Sequence, residues 1–491
     1  MFVNRMPRLE ILSEEALATI DAGWRRLIWE IGVQFDHTEA LELFRRAGQT
    51  VEDDIVRLDP EFVIEQVAKA PREFRMRARN PAHDLHVGGD RMVFVPTQGP
   101  PFVRTGATRG EATLADLERF VQLTQVFPEL DSPGSRICEP NDLDLDSRHL
   151  YQQLSVTTIS DKVFGGSANS SSVAHDCMEM AGILFGGREA IEATPVMFAI
   201  VNVNSPLRYD GRMLDALFAY SAAGQVVILT PFLLMGAMAP VTVPAALVQQ
   251  AAEALAGVAL VQLLRPGAPV ILGSFLSNID MKSGSPGFGG PESAQGLLAS
   301  GQIARHFGLP WRAGGGGLTT SQTVDVQAGY EAFNTMQAAF LAGANWVHQS
   351  AGWLEGGLVA SPEKFVTDVE MLQILRAQFT PLEVNAETMA FDAHDEVRHG
   401  GHFLGAAHTM ERFRDCFYRP MLASTENFER WNRLGARDGA ARAAELWPKK
   451  LEEWRRPPMD DAVRAELEEY VDRRRIELGD PVPTVPHAAV G

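Results

Sequence analysis

Short apolar runs and amphipathic segments alternate along most of this 491-residue chain. Between residues 91 and 348 the runs predict strands, and helical stretches separate most of them. The apolar positions are continuous within each run, which is typical of parallel strands that are covered on both faces. The predicted strands lie at 91–96, 162–166, 195–203, 225–229, 269–273, 310–313 and 345–348.

The spacing of these runs indicates repeated βα units. The last five runs begin at intervals of 30, 44, 41 and 35 residues, and a strand with its crossover helix needs about 30 residues or more. With a weaker run at 135–138, eight strands can be placed, as in a (β/α)8 TIM-type barrel of about 250 residues. A doubly wound open sheet is the alternative, but no G-x-G-x-x-G sequence follows the first strand.

The two ends of the chain are predicted to be helical. Ser13 is a predicted N-cap, and further helices are predicted over about 37–47, 60–70 and 460–477. The tail from Gly479 contains three prolines and has no periodic pattern. We therefore expect three parts, namely an N-terminal helical extension (1–90), a barrel domain (91–390) and a C-terminal helical segment with its tail (391–491).

One long uncharged stretch, residues 221–252, raises the question of a membrane span. Three prolines interrupt it, and two adjacent glutamines near its end are polar. A buried strand, a turn and an amphipathic helix explain the stretch better, so we expect no membrane segment.

The net charge of −19 narrows the class of partners. Nucleic-acid binding needs patches of Lys and Arg, and no basic run occurs, so we expect none. The three cysteines form no CxxC pair, and the first residues lack the apolar core of a signal peptide, which predicts a cytoplasmic protein. No His or Cys spacing matches a zinc site, so no metal is expected. We also expect a homo-oligomer.

In parallel barrels, functional side chains lie at the carboxyl ends of strands, and that rule selects residues 311–357. Backbone amides of the glycine run here could cradle a phosphate, the run could admit a bulky flat partner, or it could form a plain turn. Polar groups, a histidine and a tryptophan follow the run. The candidates of this stretch are Gly314, Gly315, Gly316, Gly317, Gln327, Glu331, His348 and Trp353.

Aromatic residues also fall at or just past predicted strand ends. Aromatic faces that converge at such a place attract a cation, whereas core packing is the alternative for each ring taken separately. The four rings are Phe94, Phe232, Phe275 and Trp353.

Several segments resemble the trimethylamine methyltransferase family, namely DVQAGYE (325–331), AGANWVHQSAGWLEGGL (342–358), EKFVTDVEML (363–372) and HFLGAAHT (402–409). The resemblance spans nearly the whole chain and implies a (β/α)8 barrel. The archaeal founder of the family uses pyrrolysine, which this chain lacks. The chain is thus similar to the non-pyrrolysine branch, whose characterised members pass a methyl group from quaternary amines such as glycine betaine to cob(I)alamin on a separate corrinoid protein.

The resemblance implies a corrinoid-dependent methyltransferase and a role for each candidate. Arg312 and His348 would hold a substrate carboxylate, and Phe94, Phe232, Phe275 and Trp353 would form a cage for the ammonium. His348, Glu331 and Gln327 form the predicted catalytic set, the last two as orienting neighbours, and Gly314–Gly317 would give clearance for the corrin ring. Relatives often carry Asp and Tyr where this chain has Gln349 and Trp353. The alternatives are a sulfonium or other cationic methyl donor, and a non-catalytic protein that binds quaternary amines.

Overall fold

The computed structural model describes residues 1–480, so the tail predicted from Gly479 lies almost wholly outside the described residues. The centre of the fold is a sheet of seven parallel strands. The strands are β1 (Arg91–Phe94), β2 (Phe164–Gly166), β3 (Met197–Val203), β4 (Val226–Met235), β5 (Val270–Ile279), β6 (Trp311–Gly314) and β7 (Trp346–His348). They follow one another in space in the order β2-β3-β4-β5-β6-β7-β1.

The sheet curls because the last of these strands pairs with the first. Trp346 of β7 lies opposite Val93 of β1 in a parallel ladder. All seven predicted runs are confirmed as strands, and β4 and β5 extend to 10 residues each. Phe2–Val3 pairs with β1 and Pro286–Gly287 with β5, both antiparallel.

The predicted strand at 135–138 is wrong. Pro133 and Gly134 precede it, and both residue types disfavour a strand ladder. The segment nevertheless lies beside both edges of the sheet, since the Asp131 N–H donates to the Phe94 carbonyl (2.8 Å) and the Gly165 N–H donates to the Gly134 carbonyl (2.9 Å). The result is an α/β fold with a curled sheet in which no strand fills this position.

Helices cover the outside of the sheet, while apolar side chains fill its inside. The inner cluster includes Val93, Val95, Phe198, Ile228 and Ile271, which alternate with outward residues along each strand. The covering helices are Leu114–Val126, Arg148–Ile159, Ser171–Phe185, Arg188–Ala193, Gly211–Ala222, Val243–Leu264, Pro291–His306, Val326–Ala342 and Pro362–Gln378.

The first 90 residues contain the three predicted helices, Glu14–Glu30, Thr38–Arg46 and Pro60–Val67. The Ala16 N–H donates to Ser13 Oγ (3.1 Å), which confirms that cap. Short strands that the sequence did not indicate lie between and after these helices. They are Val33–Phe35, Thr50–Glu52, Ile55–Arg57, Phe74–Met76 and Leu85–Val87, and the first of them pairs with Arg208–Tyr209.

The uncharged stretch ends within the helix Val243–Leu264. This helix is long and apolar enough to cross a membrane, but 83% of its most apolar segment is buried inside the protein. The expectation of an amphipathic helix is wrong, because buried residues occur on every side of it. The sheet covers one face, and the helices Glu14–Glu30 and Pro60–Val67 cover another.

Beyond the sheet, a two-stranded hairpin (Phe102–Thr105 and Thr108–Glu111) pairs with Val359–Ala360, which pairs in turn with Trp353–Leu354. The C-terminal helices are Phe391–Val397, Ala407–Arg412, Phe428–Arg433, Gly439–Glu452 and Asp461–Glu477, and short 3-10 turns lie at Pro81–His83, Glu355–Gly357 and Phe403–Gly405. The predicted last helix is confirmed, and its Tyr470 hydroxyl donates to Asp176 (2.7 Å).

Candidate functional site

A cavity of about 210 Å³ lies at the carboxyl ends of the parallel strands. Each of the seven strands, or the loop after it, contributes to the lining, and so does the segment that lacks a strand. Residues 1–480 place no carboxylate side chain on this lining. The lining residues are Gln98, Ser135, Arg136, Gly166, Ser167, Ala168, Asn169, Ile200, Asn202, Met213, Thr230, Phe232, Phe275, Arg312, Gln349 and Trp353.

Arg312, near the end of β6, places a buried positive charge on the cavity lining. Its side chain is buried, with 2% of the residue exposed. Its guanidinium donates to His348 Nδ1 (3.2 Å), to the Ser274 carbonyl (3.3 Å) and to Gln349 Oε1 (3.3 Å). All three acceptors are neutral, so the side chain is fixed in direction without being neutralised.

Arg312 has no ion-pair partner among residues 1–480. Burial lowers its pKa to about 9, which still leaves the guanidinium charged at neutral pH. A buried unpaired charge is costly, and this one lines an open cavity. The arrangement therefore favours an anionic group on the ligand, for which Arg offers two parallel donors.

His348 lies behind Arg312 and is absent from the cavity lining. Because an arginine cannot accept a hydrogen bond, Nδ1 of His348 must be the acceptor, and Nε2 carries the ring proton. Burial and the neighbouring Arg312 hold the pKa of His348 well below its usual range. The hydrogen bond of His348 thus restrains Arg312, and the structure places the imidazole that the sequence predicted to contact substrate behind the cavity lining.

The neutrality of His348 predicts how ligand binding depends on pH. We expect the dissociation constant for a carboxylate ligand of the cavity, measured by calorimetry, to stay constant between about pH 6 and 8, because a lowered pKa keeps the imidazole neutral throughout that range. A protonated His348 in contact with the carboxylate would instead strengthen binding as the pH falls through about 6.5. As a control, His348→Gln keeps an acceptor for Arg312 and should bind better than His348→Leu.

Three of the four predicted aromatic rings lie together on one wall of the cavity. The centroids of Phe232 and Phe275 are 4.8 Å apart, and those of Phe275 and Trp353 are 6.3 Å apart. Phe288, which the sequence did not single out, packs edge-on against Trp353 at 5.5 Å. The Arg312 guanidinium carbon lies 5.8 Å from the centroid of Phe275. The aromatic wall is therefore next to the position that Arg312 offers to an anion.

The structure does not bring Phe94 to this wall. Its ring stacks on Phe340 with centroids 5.4 Å apart, in the layer between the sheet and its helices. Val93 and Val95 point inward instead. Since successive residues of a strand face opposite sides, a residue one position away from the inward ones cannot reach the cavity.

Glu331 and Gln327 lie outside the cavity, on the helix Val326–Ala342. The Glu331 carboxylate accepts from the Thr319 hydroxyl (2.6 Å) and the Thr320 N–H (2.9 Å), while the Gln327 side chain donates to it (3.0 Å). The Thr319 carbonyl in turn accepts from the indole N–H of Trp353 (3.1 Å). The pair therefore holds the Thr319 segment, which contacts Trp353, and lies outside the cavity lining.

The glycine run is buried and none of it lines the cavity. A Cβ on Gly314 would lie 2.1 Å from the Ser274 carbonyl oxygen and 2.6 Å from the Arg312 guanidinium. The Gly316 and Gly317 N–H groups donate to the carbonyls of His348 (2.9 Å) and Gln349 (2.7 Å). The run makes room for the protein's own Arg312, the Gly316 and Gly317 amides already have acceptors, and the run is buried away from the cavity where a corrin ring would approach.

Several lining residues were missed by sequence reasoning. Gln98 follows β1, Ser135 and Arg136 lie in the segment without a strand, and Asn169 follows β2. The strand-end rule points to the loops after β1 and β2 without selecting these residues. Gln98 Nε2 is buried without a partner among residues 1–480, and so are Ser167 Oγ and Thr230 Oγ1. These atoms are available to a ligand.

The curled α/β sheet defines an α/β class of protein whose cavity lies at the carboxyl ends of parallel strands, where barrels of parallel strands place their functional residues. Residues 1–479 match the family described as trimethylamine methyltransferase (MTTB), and the chain belongs to that family. It is 39% identical over 476 residues to "Glycine betaine methyltransferase" of Desulfitobacterium hafniense, covering 97% of this chain and 99% of that protein. It is 30% identical to "Proline betaine:corrinoid methyltransferase" of Eubacterium limosum, covering 76% and 79%.

A solved structure supports the fold alone. The monomethylamine methyltransferase (MtmB) of Methanosarcina barkeri superposes with a TM-score of 0.51 at 10% sequence identity, covering 94% of this chain and 89% of that one.

Proposed function

We propose that this protein transfers a methyl group from a betaine, with glycine betaine favoured, to a corrinoid carried by a partner protein. One observation carries the proposal, namely the buried, unpaired Arg312 beside an aromatic wall. A betaine is a zwitterion whose carboxylate and quaternary ammonium match these two features. The cavity of about 210 Å³ is smaller than the roughly 300–1,000 Å³ of drug-sized pockets, which favours a small betaine.

The side chains suit the loss of a methyl group from a quaternary nitrogen. As the carbon–nitrogen bond breaks, its electron pair stays on nitrogen and a neutral tertiary amine leaves. No proton has to be supplied, and the lining residues include no carboxylic acid. The work of this chain is therefore positioning, with Arg312 fixing the carboxylate and Phe232, Phe275 and Trp353 holding the ammonium.

A reduced corrinoid supplies the electron pair that accepts the methyl group. The glycine run does not fit the corrin ring, because it is buried, so we place the partner's contact on the loops around the cavity mouth. Large apolar side chains are more than half exposed on the segments that follow β4, β5, β6 and β7, as expected for a protein-docking rim. They are Val241, Met281, Val326, Tyr330 and Leu358.

We extend the proposal to the finer features of the fold. The segment around Gly134 would complete a (β/α)8 barrel between β1 and β2, which its hydrogen bonds to both strands support. The three-part division at about residues 90 and 390 stays a prediction. All three cysteines are free, which supports a cytoplasmic location.

Two other functions make different predictions. A sulfonium methyl donor presents the same cationic head, and a silent binding protein needs the same cavity. The test mixes the purified protein with free cob(I)alamin and, in turn, glycine betaine, proline betaine, carnitine, choline and a sulfonium carboxylate, and follows the corrinoid spectrum. We expect turnover with glycine betaine and none with choline, which lacks the carboxylate. Tight betaine binding without turnover, even with a corrinoid protein present, would support the binding protein instead.

A further inference from the structure

Residues 380–437, here called the arm, expose an unusual amount of apolar surface. The described residues carry 28 large apolar side chains that are exposed, and 12 of these lie in the arm. Within the arm, only Ala393, Ala406 and Leu422 are buried. A segment of this size cannot be ordered by so small a core of its own.

The arm also makes few contacts with the rest of the chain. Its helices have six or seven residues each. Its firm attachment is at Leu422, whose carbonyl accepts from Arg442 (2.8 Å) while the next residue, Ala423, donates to the Glu370 carboxylate (3.0 Å). The Tyr418 hydroxyl adds a bond to Gln373 (3.3 Å). Before this point the arm leaves the body from the C-terminal end of the helix Pro362–Gln378.

We propose that the arm is an interface between copies of this chain, and that a second copy covers its apolar side chains. The area is sufficient. Its six exposed aromatic side chains are 40–80% exposed, and at about 150–250 Å² each they present roughly 700 Å². A standard interface buries about 800 Å² per partner. The exposed Leu, Met and Val side chains of the arm supply the remaining apolar area.

The charge of the arm favours self-association. The whole chain carries a net charge of −19, whereas the arm holds nine acidic and seven basic side chains. Two copies repel each other through their acidic surfaces, and this repulsion is weakest where the arms meet. The salt bridges Arg412–Glu387 and Arg430–Glu426 lie within the arm, so part of its charge is already paired locally.

A permanent partner suits this surface better than a transient one. A methyl carrier has to leave after each transfer, and 12 large apolar side chains of the arm, against five at the cavity rim, would then return to water. Obligate interfaces between identical chains are the ones rich in apolar residues. A second copy is also always present at the same concentration. The proposal does not depend on the methyl transfer, because the arm contains none of the cavity residues.

The test compares the self-association of the full-length protein with that of two variants by sedimentation velocity and light scattering. The double variant Phe391→Glu, Phe417→Glu alters arm side chains that are 68% and 80% exposed, and Leu145→Glu alters a body side chain that is 77% exposed. We expect an oligomer for the wild type and for Leu145→Glu, and a dissociation constant raised about 100-fold or more for the double variant. Circular dichroism should be unchanged, because the altered side chains have little contact with the body.

Two results would overturn the proposal. One is a wild-type protein that stays monomeric throughout the micromolar range. The other is a double variant that associates like the wild type. If the double variant instead lost only its affinity for a corrinoid protein, the occupant of the arm would be that carrier and not a second copy.

Discussion

Replacing Arg312 by methionine is expected to lower kcat/KM for glycine betaine by about 100-fold or more, since truncating a buried charge that holds an opposite charge removes several strong hydrogen bonds. The loss should appear mainly in KM, because the carboxylate is remote from the reacting methyl group and is bound equally in the ground and transition states. Arg312→Lys keeps the charge but loses the planar fork, so its effect should be intermediate. The measurement is the initial rate of corrinoid methylation.

The controls separate substrate binding from folding. Arg312→Met removes an unpaired buried charge but leaves three acceptors without their donor, so the midpoint of thermal unfolding should fall by only a few degrees. Arg188→Met alters an exposed arginine that pairs only with Glu192 and should leave kcat/KM unchanged. An Arg312→Met protein with normal betaine affinity would remove this side chain from the substrate site.

Gln349→Asp tests whether the lack of a counterion beside Arg312 is what allows a substrate carboxylate to bind. The Gln349 side chain accepts from Arg312 at 3.3 Å, so an aspartate here would bring an internal counterion close to the guanidinium. We expect this variant to bind carboxylate ligands about 10-fold more weakly or worse. Gln349→Asn, which stays neutral, is the matched control.

Replacing Trp353 by leucine is expected to weaken the binding of glycine betaine by roughly 3- to 30-fold, the range that a cation over an aromatic face contributes. The decisive comparison is with 3,3-dimethylbutanoate, in which carbon replaces the charged nitrogen and the shape is kept. Its affinity should change by no more than about two-fold, because a neutral group gains little from the ring quadrupole. Both dissociation constants can be measured by calorimetry without a corrinoid.

Phe288→Leu is the control for packing. Phe288 contacts Trp353 with ring centroids 5.5 Å apart but does not line the cavity, so its loss should affect both ligands alike. Trp353→Phe should recover most of the preference for the charged ligand. If Trp353→Leu weakened both ligands equally, the indole would serve only to shape the cavity.

Much of the fold could be predicted because its signals are local. Seven strands and the first three helices follow from runs of apolar residues, and the cap at Ser13 follows from residue type alone. The predicted eighth strand does not form because Pro133 and Gly134 disfavour a strand ladder, although the backbone still lies between β1 and β2. Whether the helix Val243–Leu264 would be buried all round depended on distant helices that the local pattern does not show.

The site was predicted in part. The strand-end rule pointed to Phe232, Phe275 and Trp353, and the resemblance to the family pointed to Arg312. Phe232 and Phe275 lie within β4 and β5, which extend further than the predicted strands. The rule placed Phe94 at the site as well, because a one-residue difference in register reverses the face and cannot be read from a continuous apolar run. It assigned substrate contact to His348 and clearance to the glycines, both of which the structure places behind the lining.

The sequence by itself determined the family, the parallel strands and the residue types that suit a zwitterion, because these depend on short segments and their order. Only the tertiary structure decided that Arg312 has no counterion among the described residues, that a hydrogen bond to His348 restrains it, and that Glu331 holds the Thr319 segment, which contacts Trp353. These are relations between residues tens of positions apart, and their physics depends on distance and burial, which no local pattern contains. The uncovered arm belongs to the same class, since exposure is a property of the folded chain.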